Sequence, residues 1–192
     1  LLYDVLNKDR LKKYILCSTG AVYLSSDTYL FEESPCGYNE NWGDYGTDKL
    51  LAEKYLLEKA TDDNISAVIL RPSYIYGAGN NLYREAYFFE RIEKGEIVPI
   101  PKSDSLVQFI YISDLLNIFN EVLIKSFNGV YNVTNSEEVN WKMLLDCAAK
   151  AVGRPVRIKE VDCRIGIKAR EFFPFRDYTY LLATNKLERN DL

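Results

Sequence analysis

The sequence predicts an α/β fold, a partial doubly wound parallel sheet with a small mixed α/β lobe in its C-terminal part. Two short apolar runs, Lys13–Cys17 and Ser66–Leu70, are typical of buried strands, and an amphipathic helix is predicted between them at Tyr45–Lys59. No hairpin turn signal separates these elements, so a right-handed βαβ unit is favoured. At 192 residues, the chain is long enough for one sizeable core but too short for two full domains.

The elements around the first two strands follow from apolar spacing. Leu1–Arg10 is predicted to be the tail of a helix, and Ser18–Gly43 a long loop. The helix at Tyr45–Lys59 is predicted from an apolar stripe beside charged residues. The stripe consists of Leu50, Leu51, Tyr55 and Leu57, and the charged residues are Lys49, Glu53, Lys54 and Glu58. Arg71-Pro72 closes the second strand.

The next elements continue the alternation of helix and strand. A helix is predicted at Arg84–Lys94 with Gly95 as its stop, and a strand at Val107–Ile112. Ser113 is expected to cap a helix that has one apolar side. That side consists of Leu115, Leu116, Phe119, Val122 and Leu123.

The last elements are two strands that enclose a helix. The strands are predicted at Gly129–Thr134 and Val156–Val161, and the helix between them is capped by Asn140 and stopped by Gly153. The apolar residues of this helix are Trp141, Leu144, Leu145, Ala148 and Val152. The final segment, Phe172–Leu192, is aromatic first and charged later, and no element is assigned to it.

The composition excludes several kinds of site. The chain contains no His, which excludes His general bases, Ser-His-Asp and Cys-His catalytic arrangements and His-ligated metal sites. The four cysteines form no C-x-x-C pair, and we see no leader and no apolar run of about 18 residues. We therefore expect a cytoplasmic protein without a metal site or membrane association. The net charge of −4 gives no overall support for nonspecific nucleic-acid binding.

The most informative pair of residues is Tyr45 and Lys49, at the start of the long helix. Residues four apart stand on the same helix face about one turn apart. A lysine ammonium close to a phenol favours the phenolate, which makes the tyrosine usable as an acid or base. The spacing alone is weak support, because the chain has 15 Tyr and the same pattern occurs on solvated helix faces.

Polar residues also follow the two predicted strands. Ser18 and Thr19 come directly after the first strand, at the edge where open α/β sheets place their ligand crevice. A hydroxyl there can hydrogen-bond a substrate oxygen, although small polar residues are also common in turns. The segment Arg71–Gly77 follows the second strand into the same crevice.

These segments, in this order and spacing, closely resemble the extended short-chain dehydrogenase/reductase family, the NAD-dependent sugar epimerases and dehydratases. The family motifs S-[ST]-x-x-V-Y, Y-x-x-x-K and R-P-x-x-x-Y-G resemble Ser18–Tyr23, Tyr45–Lys49 and Arg71–Gly77. The later motif R-D-F-I-H-V-x-D resembles Val107–Asp114, and one that ends in Y-N-V resembles Gly129–Val133. The resemblance spans nearly the whole chain and implies a Rossmann-like sheet.

The resemblance implies three catalytic residues. Tyr45 would be the acid/base that exchanges a proton with a sugar hydroxyl. Lys49 would bind the ribose hydroxyls next to the nicotinamide and support the Tyr45 phenolate. Thr19 would hydrogen-bond the reacting oxygen together with Tyr45.

The resemblance also implies further contacts with the cofactor and the substrate. The cofactor is NAD or NADP, and Ser18 and the backbone around Pro72 and Ser73 would border it beside the tyrosine–lysine pair. Tyr74 and Asn80 would contact the substrate.

One departure from the family concerns the cofactor site. The family begins with a G-x-x-G-x-x-G motif whose backbone holds the cofactor pyrophosphate, and this chain has no such motif. We therefore expect a fragment in which residues 1–75 are the C-terminal half of the dinucleotide-binding domain. Residues 76–192 would be mainly a substrate-binding lobe, with some segments returning to the sheet. The parent protein would be an enzyme, and the fragment alone is expected to be inactive.

Other departures concern the substrate. Gly20-Ala21 stand where dehydratases have Asp-Glu, which argues against 4,6-dehydration. Val107 occupies the position of an arginine that contacts a nucleotide-sugar diphosphate in the family, and Tyr74 stands where an asparagine is often found. The resemblance therefore leaves open whether the substrate is a nucleotide sugar or another sugar-type hydroxyl compound.

A narrower resemblance is to the branch that contains the chloroplast stem-loop RNA-binding proteins and their bacterial relatives. The matching segments include Cys17–Leu24, Arg71–Gly77, Phe88-Phe89 and Phe173–Asp177. RNA binding through the basic stretch Arg154–Arg170 is therefore the alternative to the enzyme, and a redox-inactive interaction protein is a third hypothesis. The retained tyrosine–lysine pair favours the enzyme.

The resemblance further implies a homodimer. In the family, the helix that carries the tyrosine–lysine pair and the helix before the preceding strand pair with their copies in a four-helix interface. Here these elements would be Tyr45–Lys59 and Leu1–Arg10, related by the twofold symmetry that is commonest among soluble oligomers.

Overall fold

Strands and helices alternate along the chain in the computed structural model, which describes residues 2–189. The strands are β1 (Lys13–Cys17), β2 (Ser66–Pro72), β3 (Tyr74–Tyr76), β4 (Ile97–Pro101), β5 (Phe109–Tyr111), β6 (Gly129–Val133) and β7 (Arg157–Val161). The α-helices are α1 (Asp44–Asp62), α2 (Glu85–Glu93), α3 (Ile112–Ile124), α4 (Trp141–Val152) and α5 (Asn185–Glu188). The predicted order of strand, long helix and strand through β2 is confirmed.

The main sheet has three strands in the order β1-β2-β6, all parallel. In the register of β1 and β2, Cys17 lies opposite Leu70. Two further parallel pairs, β3 with β5 and β4 with β7, lie outside this sheet. The predicted α/β fold with parallel strands is confirmed, and the register brings the carboxyl ends of β1 and β2 to the same edge.

Helices cover both faces of the central strand β2. Ile69 packs in one apolar cluster with Leu56 of α1, and its neighbour Leu70 packs in another with Leu115 of α3. Successive side chains of a strand point to opposite faces, so this alternation places α1 and α3 on opposite sides of the sheet. Both Ile69 and Leu70 are fully buried, as expected for a central parallel strand.

A third and larger apolar cluster forms the lobe beside the sheet. Its aromatic centre includes Trp141, whose ring lies 4.9 Å from that of Phe173 and 5.6 Å from that of Phe175. The same cluster contains Tyr180 from the C-terminal segment and Val22 from the loop after β1. The aromatic residues at the start of Phe172–Leu192 therefore belong to the core, while residues 190–192 of that segment lie outside the described residues.

Two predictions about the N-terminal half are wrong. Residues 2–10 form a short 3₁₀ helix, Leu2–Val5, followed by turns, rather than the tail of an α-helix, and Leu1 lies outside the described residues. The buried face of α1 also differs from the predicted stripe, because Leu51 is 59% exposed whereas Glu53 is only 1% exposed. A buried partner, described below, lets this carboxylate occupy a core position.

The helix caps were predicted with mixed success. The side chain of Asn140 caps α4 by accepting a hydrogen bond from the Met143 N–H, and Gly153 ends the helix in the left-handed conformation, as predicted. Ser113 does not cap α3, because the helix already begins at Ile112 and Tyr111 occupies the cap position, two residues before Ser113. On the predicted apolar side of α3, Leu115 and Val122 are buried, but Leu116 and Leu123 are more than half exposed.

Two strands and one α-helix were not predicted, namely β3, β4 and α5. Strand β4 contains Pro99 and Pro101, which argue against a strand in a sequence because proline cannot donate to the ladder. Within the described residues, β4 pairs with β7 alone, so no backbone hydrogen-bond donors are needed along its other edge.

No helix among residues 2–189 combines the length and the apolar character needed to cross a membrane.

Candidate active site

A cavity of 510 Å³ lies at the carboxyl ends of β1 and β2. Small-molecule sites occupy about 300–1,000 Å³, so the cavity can hold a ligand of that kind. Its walls include Ser18, Thr19, Trp42, Tyr45, Pro72, Ser73, Tyr74, Asn80, Arg84, Arg176 and Tyr180. Every predicted site residue except Lys49 lines this cavity, so the structure brings together segments that are far apart in the sequence.

The start of α1 places Tyr45 in the cavity wall. Helix α1 begins after Gly43, whose φ of 55° lies in the left-handed region that favours glycine. One turn later, a Cβ on Gly46 would lie 2.3 Å from the carbonyl oxygen of Ala21, so glycine permits α1 to approach the loop after β1. Tyr45 is 51% exposed, and its hydroxyl has no hydrogen-bond partner among residues 2–189. The phenol is therefore available to a ligand.

Lys49 joins α1 to the end of β1. Its Nζ donates a hydrogen bond to the carbonyl oxygen of Cys17 at 3.0 Å. The lysine is not among the cavity-lining residues, although it stands one turn after Tyr45 on the same helix. Its predicted role toward the ribose and the Tyr45 phenolate stays a prediction.

Thr19 offers a hydrogen-bond donor to the cavity. Its side chain caps the 3₁₀ helix Gly20–Val22, where Oγ1 accepts from the Ala21 N–H at 3.1 Å. The threonine is 7% exposed, and its hydroxyl hydrogen has no acceptor within the described part of the chain. This arrangement fixes the side chain and leaves the O–H to a ligand oxygen.

The other predicted contact residues are held by internal hydrogen bonds. The hydroxyl of Ser73 lies 2.6 Å from that of Thr134, and both are buried. The Asn80 amide donates to the Glu85 carboxylate at 2.9 Å, which fixes the loop before α2. Pro72 and Ser73 thus border the cavity from a rigid strand end, and Asn80 borders it from a braced loop.

A buried ion pair connects the segments that carry the site. Glu53 of α1 and Arg71 of β2 are 1% and 5% exposed, and their closest side-chain atoms lie 2.6 Å apart. The Ser18 hydroxyl donates to Glu53, and Arg71 donates to the backbone carbonyl of Glu32 at 3.2 Å. Burial by itself would lower the pKa of Arg71, but hydrogen bonds to the Glu53 carboxylate raise it above its ordinary value.

Sequence reasoning did not predict this ion pair. Glu53 was assigned to the solvated side of the helix because a carboxylate usually lies there. Its position seven residues after Gly46 and three after Leu50, both buried, places it on the core-facing side. The Ser18 hydroxyl is consequently directed to Glu53, and the predicted contact of Ser18 with the cofactor stays a prediction.

Two arginines are the only charged residues among the described residues that line the cavity. The guanidinium carbon of Arg176 lies 4.1 Å from the ring centroid of Trp42, and that of Arg84 lies 5.4 Å from the ring centroid of Tyr74. Burial lowers the pKa of each arginine from its ordinary value. Sequence reasoning missed both residues, because Arg84 had no role beyond starting a helix and Arg176 is more than 90 positions from it.

Comparison with known proteins gives a family and a relative. A model of the NAD dependent epimerase/dehydratase family matches residues 1–134. The chloroplast stem-loop binding protein of 41 kDa b of Arabidopsis thaliana is 30% identical over 186 residues, which cover 92% of this chain and 46% of the relative. The chain thus spans about half the length of the curated relative that it matches.

Solved structures of similar fold include three sugar-nucleotide enzymes. The UDP-glucose 4-epimerase of Thermus thermophilus, in complex with NAD, has a TM-score of 0.74 at 22% identity, covering 94% of this chain and 58% of that one. The UDP-N-acetylglucosamine 4-epimerase of Methanobrevibacter ruminantium M1, in complex with UDP-N-acetylmuramic acid, has a TM-score of 0.77 at 21% identity, covering 96% and 58%. The dTDP-glucose 4,6-dehydratase of Bacillus anthracis, in complex with NAD, has a TM-score of 0.76 at 20% identity, covering 94% and 56%.

At these identities the solved structures establish the fold. The family match is independent of them and extends over 134 of the 192 residues, including the ends of β1 and β2, the start of α1 and the cavity wall that they form. The chain belongs to the NAD dependent epimerase/dehydratase family.

Proposed function

We propose that the protein is an NAD- or NADP-dependent oxidoreductase or isomerase that acts on a hydroxyl group of a sugar-type substrate. The observation that carries this proposal is the placement of the Tyr45 phenol and the Thr19 hydroxyl on one cavity, each with a hydrogen that no described residue accepts. The NAD and the sugar nucleotides named for the similar structures support the same class of reaction.

The cavity fits one end of the proposed cofactor. Pro72 and Ser73 form a rigid wall beside Tyr45, so this part of the cavity suits the flat nicotinamide ring and its ribose. The chain contains no G-x-x-G-x-x-G motif to hold a pyrophosphate, and the fit is therefore to the nicotinamide end alone. A bound nicotinamide would supply the acceptor and donor for the electron pair that leaves and returns to the substrate carbon.

The residues of the chain would move and hold the proton in this reaction. In its phenolate form, Tyr45 would accept the proton of the substrate hydroxyl as the carbon is oxidised, and the resulting phenol would return the proton in the reverse step. Thr19 would donate a hydrogen bond to the same oxygen and so orient it toward the phenol. Lys49 donates a hydrogen bond to the Cys17 carbonyl and would in this way hold α1 next to the end of β1. Its ammonium group would also add a positive charge near the phenolate.

The proposal is tested by turnover in the full-length protein. We expect one member of a panel of nucleotide sugars, sugar phosphates and free sugars to be epimerised or oxidised when NAD or NADP is supplied. Product formation is followed by NMR and by the absorbance of the reduced cofactor. Absence of cofactor binding together with absence of turnover across the panel would contradict the proposal.

RNA binding is the second candidate function, because the Arabidopsis thaliana relative is named as a stem-loop binding protein. In the basic stretch Arg154–Arg170, however, several side chains have protein partners. Arg157 donates to the Gly95 carbonyl at 3.2 Å, and Arg164 pairs with Asp162 at 2.6 Å. The stretch also lacks the aromatic platform on which single-stranded bases stack. These contacts favour the enzyme over the RNA-binding protein.

We expect weak, salt-sensitive RNA binding from the basic stretch. Because the net charge is −4, the dissociation constant should lie at about 10⁻⁴ M or above, the weak end of nonspecific nucleic-acid binding. The test is a fluorescence titration with a stem-loop RNA at several salt concentrations, with a variant in which five basic residues become Gln. These residues are Arg154, Arg157, Lys159, Arg164 and Lys168. Submicromolar binding at physiological salt that the variant loses would place the RNA function first.

We propose further that the full-length protein is a homodimer through the helix Tyr45–Lys59. Leu51, on the outer face of this helix, is 59% exposed, and exposed apolar side chains at Leu2 and Val5 belong to the neighbouring N-terminal segment. Leu51→Glu should convert the dimer to a monomer, because it places charge in an apolar contact. Sedimentation velocity measures the change, with Met143→Glu on α4 as the control. A wild-type monomer at tens of micromolar would contradict the proposal.

A further inference from the structure

We infer that the protein has a second ligand site, which binds a small organic cation with an alkylated ammonium group. The site is a cavity of 280 Å³ that is lined by residues of β3, β5, α2 and α4. Only Tyr76 lines both this second cavity and the first cavity, the one that contains Tyr45. The inference therefore goes beyond the proposed reaction and does not depend on it.

Aromatic rings form one wall of the second cavity. The ring centroid of Tyr76 lies 5.3 Å from that of Tyr111 and 6.1 Å from that of Phe109. The Phe175 ring lies 5.5 Å from Phe109 and is stacked on Phe88 at 6.1 Å. Phe88 and Phe175 are buried, whereas Tyr76 and Tyr111 are 40% and 38% exposed. The wall therefore runs from a buried end to an accessible one, and its ring faces attract cations.

The charge of the second cavity favours the same kind of ligand. Among the described residues, its charged lining residues are all carboxylates, namely Glu85, Asp114 and Glu137. None of the three forms a salt bridge within residues 2–189. Glu85 accepts hydrogen bonds from the Gly77 N–H and the Asn80 amide, and these donors are neutral. The first cavity has the opposite charge, because its charged lining residues are two arginines.

The carboxylates lie close to the aromatic wall. Burial raises the pKa of Tyr76, and the negative charges of Asp114 and Glu137 raise it further. The guanidinium of Arg84 lies 5.6 Å from the Phe175 ring, but Arg84 lines the first cavity and not the second. A cation bound at the Tyr76 end of the wall would therefore interact with a ring face and with carboxylates at the same time.

The composition of the walls distinguishes an organic cation from a metal ion. Hard metal ions take several oxygen ligands, and the described residues contain no group of three or more Asp, Glu, Cys or His that could hold one. Most residues around the second cavity are aromatic or aliphatic. Quaternary ammonium groups bind to aromatic faces and need no hydrogen-bond acceptor. The volume of 280 Å³ is close to the lower end of about 300–1,000 Å³ for small-molecule sites, so the ligand must be small.

Choline and 3,3-dimethyl-1-butanol are the matched probes for this site, because they have the same shape and differ in charge. Each is titrated into the full-length protein by calorimetry. We expect choline to bind with a dissociation constant of about 1 mM or below. The neutral alcohol should bind at least about 10-fold more weakly, because it lacks the attraction to the rings and the carboxylates. Equal affinities, or no choline binding up to about 10 mM, would overturn the inference.

Variants of the carboxylates test the contribution of charge. Asp114→Asn and Glu137→Gln should each weaken choline binding by about 2- to 5-fold, and the double variant by about 10-fold. Asp146→Asn is the matched control, because it removes an exposed carboxylate of α4 that does not line the cavity. This variant should bind choline like the wild type. Wild-type affinity in the Asp114→Asn/Glu137→Gln double variant would contradict the inference.

A variant of the aromatic wall tests the contribution of the rings. Tyr111→Leu removes one ring face and keeps an apolar side chain, so it should weaken choline binding severalfold and leave the binding of the neutral alcohol unchanged. An equal loss for both probes would show that the wall acts only as an apolar surface and would overturn the inference. Circular dichroism confirms that each variant is folded before its affinity is compared.

Cys147 reports where the cation binds. It is exposed and lines the second cavity, whereas Cys17 is exposed and lines neither cavity. Saturating choline should slow the reaction of Cys147 with N-ethylmaleimide severalfold and leave the rate at Cys17 unchanged, as followed by mass spectrometry. An unchanged rate at Cys147 would place choline elsewhere and overturn the inference. None of these measurements requires turnover, so their outcome is separate from that of the proposed reaction.

Discussion

Tyr45→Phe in the full-length protein is expected to lower the turnover number by about 10²–10⁴-fold, the usual contribution of a general acid or base. The substitution removes the hydroxyl and keeps the ring, so the contact with Trp42, 6.3 Å between ring centroids, should persist. Cofactor affinity should therefore change little. The measurement is steady-state turnover of a verified substrate, together with a fluorescence titration of the reduced cofactor.

A second tyrosine provides the matched control for this experiment. Tyr38 is 62% exposed and lies outside the cavity lining, so Tyr38→Phe makes the same chemical change without touching the site. Thr19→Val should also lower turnover, because it removes the second hydroxyl that we propose to bind the reacting oxygen. Normal turnover by Tyr45→Phe would show that another group carries the proton and would refute the proposed role of Tyr45 as the acid/base.

The parts of the fold that sequence reasoning predicted are those fixed by local patterns. The apolar runs of β1 and β2 identify buried parallel strands because such strands lack polar alternation. The caps of α4 at Asn140 and Gly153 were equally clear, since each meets a requirement of the backbone at that point. Strand β4 was missed because Pro99 and Pro101 are tolerated only where one strand edge has no partner, which depends on tertiary structure.

The same difference between local patterns and tertiary contacts decides which residues of the candidate site could be predicted. Thr19 stands at a strand end and Tyr45 at a recognisable helix spacing, but their roles and those of Pro72 to Tyr74 were predicted from the family resemblance. The cavity arginines could not be found in this way. Arg176 reaches the cavity only through the packing of the C-terminal segment against Trp42, a contact between residues 134 positions apart.

The buried pair Glu53–Arg71 shows why a motif-based description of the site is incomplete. Glu53 lies on α1, eight residues after Tyr45, and Arg71 lies on β2, directly before Pro72. Through the hydroxyl of Ser18, Glu53 also holds the end of β1, next to Thr19. One ion pair thus connects three segments that line the cavity, namely the end of β1, the start of α1 and the end of β2.

Removing one partner of this pair should destabilise the protein strongly. Glu53→Met leaves the Arg71 guanidinium buried without a counter-ion, and breaking a buried ion pair in this way costs about 3–5 kcal/mol. The loss is measured as the decrease in the free energy of unfolding in urea. The Glu53→Met/Arg71→Met double variant should recover part of the loss, because it leaves no buried charge and replaces both groups with apolar volume.

An exposed ion pair serves as the control for the effect of charge alone. Glu121 of α3 and Lys125, the residue directly after this helix, have their charged groups 2.9 Å apart and are both about 45% exposed, so Glu121→Gln should change the free energy of unfolding by no more than about 0.5 kcal/mol. If Glu53→Met costs no more than Glu121→Gln, the buried pair does not hold the three segments together. The single variant Arg71→Met completes the comparison. If the double variant loses as much free energy of unfolding as Glu53→Met and Arg71→Met lose together, the cost comes from lost packing and not from an unpaired charge.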